Sequence, residues 1–193
     1  MKKTALVLLA EGFEEVEAVT PVDYLRRAGI AVTTVSIGDG LTVKGARGVE
    51  INAETTLKDI VKRRRAEDGL WDAVVVPGGI PGVTNIAACN DAGVLIVGMA
   101  AAGKLVCAIC ASPAFVLAPL GVLSGKRFTC YPGMEEKVAC GRWLGEPVVV
   151  DGNIVTSRGA GTAGLFSLAI VDRLLGRAEA DKVAKAVLLT SGY

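Results

Sequence analysis

Short apolar runs without polar alternation recur along this chain, and they constrain its fold more than any other feature of the sequence. A strand buried on both faces needs apolar side chains at every position, whereas a strand with one face in water alternates. Helical stretches separate these runs, and strands that alternate with helices form a mostly parallel sheet covered on both faces. The sequence therefore predicts an α/β fold, a doubly wound sandwich. The predicted strands are residues 4–10, 31–37, 72–76, 104–109 and 127–130.

Helix signals fill the intervals between these strands. The first predicted helix runs over residues 14–28, ends before Gly29 and contains Pro21, which should bend it. A second helix begins with Thr56 and Asp59, a pair with the spacing of a capping box. Further helices are predicted over residues 91–101, 113–118, 133–140, 162–175 and 178–188.

Two hairpins complete the prediction. Residues 39–52 carry glycines at positions 40, 45 and 48 around short β-like pieces, which indicates an added hairpin. Asp151-Gly152 separates two further apolar runs, and Asp-Gly is a strong signal for a two-residue hairpin turn. We see no repeat, linker or low-complexity segment, so residues 1–193 are predicted to form one domain.

Charge and hydropathy argue against two classes of partner. The formal net charge of +1 gives no electrostatic reason to expect nucleic acid, and the basic run at 62–65 is followed at once by Glu67 and Asp68. No run reaches the ~18 apolar residues of a membrane span. The apolar stretch near the amino terminus covers residues 5–10 and lacks a cleavage pattern, so we expect a buried first strand and a cytoplasmic protein.

The five cysteines are an odd number and fit reduced thiols better than a disulfide framework. Cys107 and Cys110 form a C-x-x-C pair. If Cys107 lies in an extended strand, however, their α-carbons are ~10 Å apart, beyond the ~7 Å limit of a disulfide. The chain has no histidine and no second C-x-x-C, so we expect no metal site.

Cys110 lies at the edge where open α/β sheets form their sites, outside the carboxyl ends of the strands. Its small neighbours Ala108, Ala111 and Ser112 have the spacing of a nucleophile elbow with cysteine in place of serine. Ser112 is a good N-cap and Pro113 a good first helical residue, so the positive end of a helix dipole is expected to lower the pKa of the thiol. The alternative is an inert buried thiol.

Two other groups reach the same edge. The backbone N–H groups of Gly78-Gly79 and of Ala111 could form an oxyanion hole, although Gly-Gly is equally compatible with an ordinary tight turn. Most acids after the first strand are expected to be solvated residues of a first helical turn. Glu17, flanked by Val16 and Val19, could instead be partly buried, with a raised pKa suited to sharing a proton with a thiolate.

Five segments of this sequence resemble a known superfamily: ALVLLAEGFEEVEAVTPVDYLRRAGI, DAVVVPGGIPG, AICASPA, TCYP and VTSRGAGTA. In order and spacing they resemble the ThiJ/PfpI superfamily, in the branch of the parkinsonism-associated deglycase and the bacterial chaperone YajL. The resemblance implies a flavodoxin-like sandwich, a homodimer, a reactive Cys110 and a protonated Glu17 hydrogen-bonded to it. It also implies pocket-lining amides at Gly79 and Ala111, and an Arg47 that reaches the partner subunit's site.

One departure from the family bears on mechanism. The family's histidine falls within TCYP, where this chain has Tyr131, as bacterial relatives of the YajL type also carry an aromatic. The Cys-His pairing of the superfamily's peptidases and glutamine amidotransferases therefore cannot be assembled. Cys130, beside Tyr131, is expected to be a second thiol near the pocket.

Three functions remain compatible with these residues. The first is a cofactor-independent glyoxalase or deglycase acting on methylglyoxal-type aldehydes or their adducts, slowed by the missing histidine. The second is an oxidative-stress sensor with chaperone activity, in which Cys110 becomes a sulfinate. The third is a structural domain with a vestigial site.

Overall fold

The computed structural model describes residues 2–64 and 71–189. The last residue of the basic run at 62–65 therefore lies outside the described residues. The strands are β1 Thr4–Leu9, β2 Ala31–Ser36, β3 Thr42–Lys44, β4 Glu50–Asn52, β5 Thr55–Thr56, β6 Ala73–Val76, β7 Leu105–Ile109, β8 Arg127–Phe128, β9 Arg142–Trp143, β10 Val148–Asp151 and β11 Ile154–Ser157. The helices are α1 Glu15–Arg27, α2 Leu57–Arg64, α3 Gly82–Ala88, α4 Asn90–Ala101, α5 Ala163–Leu175 and α6 Arg177–Ala186. Shorter helical turns cover Pro113–Leu117, Glu135–Lys137 and Ala160–Thr162.

The main sheet has seven strands in the order β10-β11-β7-β6-β1-β2-β5. Every neighbouring pair is parallel except β10 and β11, which form the predicted Asp-Gly hairpin. Counting β1, β2, β6, β7 and β11 as first to fifth, the order is 2-1-3-4-5, which is the flavodoxin-like arrangement. The predicted α/β doubly wound fold is therefore confirmed. The hairpin predicted within residues 39–52 is also confirmed, as the antiparallel pair β3 and β4 outside the main sheet.

The core explains why the strands lack alternation. On β1, Ala5, Val7 and Leu9 pack into a cluster that contains residues of α1, α5 and α6. The intervening Leu6 and Leu8 pack into a second cluster with residues of α2, α3 and α4. Each side chain of a central strand thus meets a helical layer whichever face it occupies, and each must be apolar.

The sequence predictions for residues 127–140 are confirmed only in part: Arg127–Phe128 is a strand, but the strand is shorter than predicted and the helix over 133–140 does not form. Residues 127–130 do not join the main sheet, because the hairpin strand β10 takes the place beside β11. Arg127–Phe128 instead pairs with Arg142–Trp143 in a separate two-stranded sheet. The helix predicted over 133–140 is reduced to the single turn Glu135–Lys137, which buries no side chain and so has no apolar face to stabilise a longer helix.

One helix differs from prediction, whereas those predicted over 14–28 and 91–101 are confirmed as α1 and α4. The helix α3 was not predicted, and α4 begins at Asn90, two residues after α3 ends. Helix α1 continues through Pro21 to Arg27. In the described ranges no single helix is long and apolar enough to cross a membrane, although α3 and α4 pass that test as a pair bent by 82°.

Candidate active site

The site lies outside the carboxyl ends of β1, β6 and β7. The strand order reverses between β1 and β6, and ligands of open α/β sheets bind at such a switch point. Glu17 lies in the first turn of α1, which follows β1. Gly78 follows β6, and Cys110 follows β7 directly.

The backbone of Cys110 has the turn geometry of a nucleophile elbow. Its φ is 66°, a left-handed conformation that non-glycine residues rarely adopt and that concentrates at functional sites. Hydrogen bonds fix it on both sides: its N–H donates to the carbonyl of Ser157 at 2.9 Å, and its carbonyl accepts the N–H of Tyr131 at 2.8 Å. Hydrogen bonds to the segments that contain Ser157 and Tyr131 therefore fix the backbone that carries the sulfur.

The predicted cap at Ser112 is wrong. Ser112 itself has helical dihedral angles, and its fully buried hydroxyl donates to the carbonyl of Pro77 at 2.5 Å. That bond ties the elbow to the turn after β6. The helix that follows, Pro113–Leu117, has five residues. The macrodipole expected to lower the pKa of Cys110 is therefore small.

A thiol and a carboxyl form the centre of the site. The Glu17 side chain is hydrogen-bonded to Cys110, and its Oε2 accepts the N–H of Gly78 at 2.8 Å. Glu17 is 1% exposed. Burial raises the pKa of Glu17 to about 7; the Gly78 N–H opposes this, the charge of Glu14 adds to it, and the Cys110 bond opposes it. A substantial fraction of Glu17 is thus protonated at neutral pH.

The surroundings of the thiol raise the pKa of Cys110 to about 12, in contrast to the lowering expected from the sequence. Burial contributes most, followed by the charge of Glu17 and the hydrogen bond to it, while the N–H groups of Ala111 and Gly79 act in the opposite direction. When Glu17 holds the proton, its charge disappears and its O–H can donate to a thiolate. The two groups therefore titrate as a pair, and the reactive form is a thiolate beside a protonated Glu17.

Gly78 and Gly79 make this contact possible. A Cβ on Gly78 would lie 2.5 Å from Oε2 of Glu17 and 2.6 Å from Cβ of Cys110, so no larger residue fits between them. Gly79 has a φ of +93° and directs its N–H to the sulfur. Of the amides predicted for a substrate oxyanion, those of Gly79 and Ala111 thus bond to Sγ, whereas that of Gly78 bonds to Glu17.

A cavity of about 430 Å³ opens above the thiol–carboxyl pair. Its lining residues are Glu14, Glu17, Ala46, Arg47, Gly79, Ile80, Cys110, Ala111, Tyr131, Met134 and Ala160. Arg47, assigned by the resemblance to the partner subunit's site, lines the cavity of its own chain. Its N–H donates to Oε1 of Glu15 at 2.6 Å, which ties the β3–β4 turn to α1. Tyr131 lines the cavity with half of its surface exposed.

The sequence did not reveal every lining residue. Ile80 and Met134 lie outside the helices and strands, Ala160 begins a short helical turn, and no periodic pattern marks such positions. Glu15 resembles its acidic neighbours in sequence, yet it is buried and contacts the turn at Arg47. These residues become neighbours of the site through the path of the chain in three dimensions.

The other cysteines lie outside the cavity. Cys130, predicted near the pocket, is fully buried in the core and is not among the lining residues, and burial raises its pKa to about 12. Cys107 lies in β7, as the strand argument against a disulfide required; both it and Cys110 are free thiols. Within residues 2–64 and 71–189, no group of three His, Cys, Asp or Glu side chains could hold a metal ion.

Known proteins resemble the whole of this architecture. A model of the DJ-1/PfpI family matches residues 3–173. Protein dj-1beta of Drosophila melanogaster is 40% identical over 98% of each chain. Protein DJ-1 homolog A of Arabidopsis thaliana is 40% identical over 95% of this chain, which spans 45% of the plant protein. A glutathione-independent glyoxalase of Caenorhabditis elegans is 34% identical over 97% of each chain.

Solved structures agree with these sequence matches. The crystal structure of Drosophila DJ-1beta has a TM-score of 0.90 at 39% identity, with all of both chains covered. A structure of oxidized Toxoplasma gondii DJ-1 has a TM-score of 0.91 at 33% identity and covers 98% of this chain and 100% of the parasite protein.

Proposed function

The chain belongs to the DJ-1/PfpI family, and from that premise we propose that it is a glyoxalase-type enzyme that converts small reactive aldehydes, such as methylglyoxal, without a cofactor. One observation carries the proposal: a buried Glu17 with a pKa near 7 is hydrogen-bonded to the thiol of Cys110 beside an open cavity. A relative of similar length is named a glutathione-independent glyoxalase.

The first step forms a carbon–sulfur bond. The proton of Cys110 passes to Glu17, and the thiolate attacks the aldehyde carbon of methylglyoxal. Glu17 returns this proton to the developing alkoxide, which gives a hemithioacetal and restores the Glu17 carboxylate. The N–H groups of Gly79 and Ala111, which bond to the sulfur of the free enzyme, are close enough to the attacking atom to stabilise the new oxyanion.

The second step moves a proton from carbon to carbon. The carboxylate of Glu17 removes the proton from the former aldehyde carbon, and an enediol forms. Reprotonation at the adjacent carbon gives a lactoyl thioester on Cys110. Water then cleaves the thioester to lactate and regenerates the thiol, so the sum is methylglyoxal plus water giving lactate, with no external oxidant or reductant. A base with a pKa near the working pH suits both proton transfers.

The thioester hydrolysis lacks an imidazole. Tyr131 lines the cavity and carries a hydroxyl, so water activation depends on Glu17 or on Tyr131. Loss of a general acid or base typically costs ~10²- to 10⁴-fold in rate. We therefore propose slow turnover, limited by hydrolysis.

The test is lactate production from methylglyoxal by the wild type and by Cys110→Ser. We expect the substitution to abolish turnover, and Cys140→Ser, which removes an exposed thiol outside the cavity, to leave it unchanged. Equal rates for wild type and Cys110→Ser would disprove the assignment. Extending the assay to glycated amines and thiols examines the deglycase activity.

A second function is favoured by the hydrogen bonds to the sulfur. Two backbone N–H groups and the Glu17 carboxyl surround Sγ, and the same donors could bond the oxygens of a sulfinate. Oxidation would consume two peroxides and release two waters per thiol. The Toxoplasma relative is described in an oxidized state. A ~32 Da gain that maps to Cys110 after mild peroxide supports sensing; unmodified Cys110 contradicts it. The homodimer, the chaperone activity and the cytoplasmic location stay predictions.

A further inference from the structure

A second cavity, of about 260 Å³, lies at the amino ends of the parallel strands, whereas the candidate active site lies at their carboxyl ends. Its lining residues are Lys3, Asp72, Gly103, Lys104, Leu105, Gly152, Asn153, Arg173 and Leu174. Lys3 and Asp72 each directly precede a parallel strand, and Leu105 begins β7. Because β7 then leads to Cys110 over five residues at ~3.3 Å each, the two cavities are ~16 Å apart.

The lining of this cavity carries three cations and one carboxylate. Asp72 accepts a hydrogen bond from Lys104 Nζ at 3.1 Å and lies 3.6 Å from Lys3 Nζ. Burial acts to raise the pKa of Asp72, but the N–H of Thr4 and the two ammonium groups lower it, so the carboxylate is ionised at neutral pH. One negative charge therefore serves two lysines, and with Arg173 the lining has a net charge of +2.

Several donors of these cations have no partner among the described residues. Arg173 donates through Nη2 to the carbonyl of Gly152 at 3.3 Å, and its guanidinium makes no other hydrogen bond within the described ranges. A guanidinium presents its N–H groups as a planar fork that matches a phosphate bidentately.

We infer that this cavity binds a phosphate dianion, either inorganic phosphate or the phosphate group of a small phosphomonoester. The lining charge of +2 matches a dianion, whereas a carboxylate ligand would leave one positive charge uncompensated. The volume is roughly nine times the ~30 Å³ share of one water molecule, which leaves room for a phosphate group and a small carrier.

Isothermal titration calorimetry with inorganic phosphate, at fixed pH and at ionic strength held constant with sodium chloride, tests the inference. Glycerol 3-phosphate forms a second arm, which distinguishes free phosphate from a phosphomonoester. We expect saturable 1:1 binding of one or both probes. Arg173→Gln should weaken it about tenfold or more, the change expected from losing one charge-assisted hydrogen bond.

Arg142→Gln is the matched control, because it removes the same charge from an exposed arginine that does not line the cavity. Thermal unfolding checks that each variant is folded. No saturable binding of either probe, or equal affinity in the two arginine variants, would overturn the inference. Cys110→Ser should bind phosphate like the wild type, so this result does not depend on whether the proposed aldehyde chemistry is correct.

Discussion

Substitution of Glu17 by Gln should make Cys110 more reactive and the enzyme less active at the same time. The amide is nearly isosteric with the carboxyl: its oxygen can accept the N–H of Gly78, and its NH₂ can donate to the sulfur. The charge next to the thiol is removed, and so is the group that carries the proton. These two losses have opposite consequences, which makes the substitution informative.

The gain in reactivity follows from the charge. Two unit charges ~4 Å apart interact by ~4 kcal/mol at an effective dielectric constant of ~20, and one pKa unit corresponds to ~1.36 kcal/mol. Removing the Glu17 charge should therefore lower the pKa of Cys110 by about 2 to 3. Nucleophilicity falls with thiol pKa with a coefficient of ~0.4–0.5, so alkylation at pH 8 should accelerate about 10- to 30-fold.

Turnover should change in the opposite direction. An amide cannot take up the proton of the hemithioacetal, and loss of a general base typically costs ~10²- to 10⁴-fold. The assays are iodoacetamide alkylation of Cys110 followed by mass spectrometry, and lactate formation from methylglyoxal. Glu11→Gln is the control, because it neutralises an exposed acid that does not line the cavity. Slower or unchanged alkylation, or retained turnover, would refute the reasoning.

Three further predictions concern the same site. The pKa of Glu17 rises from 4.5 to about 7 on folding, so the native state binds a proton that the unfolded state has released. The free energy of unfolding should therefore fall by about 3 kcal/mol as pH rises from ~4.5 to ~7. Urea unfolding at these two pH values should show this loss in the wild type and a smaller one in Glu17→Gln. Gly78→Ala should cost ~1–3 kcal/mol of stability and most of the activity, because its Cβ would overlap Glu17 and Cys110. Gly40→Ala, whose Cβ would meet nothing within 4 Å, should cost little. Equal unfolding midpoints for the two variants would contradict the predicted overlap at Gly78. Tyr131→His should raise lactate turnover by ~10²-fold or more by supplying the missing imidazole, while Tyr131→Phe should not; no gain would show that thioester hydrolysis does not limit the rate.

The fold could be predicted because its signals are local. Apolar runs without alternation indicate strands buried on both faces, and the structure places successive β1 residues in opposite helical layers. Gly29 and the Asp151-Gly152 pair marked the end of α1 and the β10–β11 turn. The failure at 127–140 has the opposite cause: whether a short run joins a sheet depends on which strand already occupies the edge.

The sequence by itself determined the class of fold, the elbow at Cys110 and the resemblance that pointed to Glu17, because residue type and spacing along the chain encode them. Tertiary structure decided the chemistry. It buried Glu17 against the thiol and so raised both pKa values, it used Ser112 to tie two turns together, and it placed Cys130 in the core. Burial and charge proximity depend on atoms distant in sequence, and they set the protonation state on which either function of Cys110 depends.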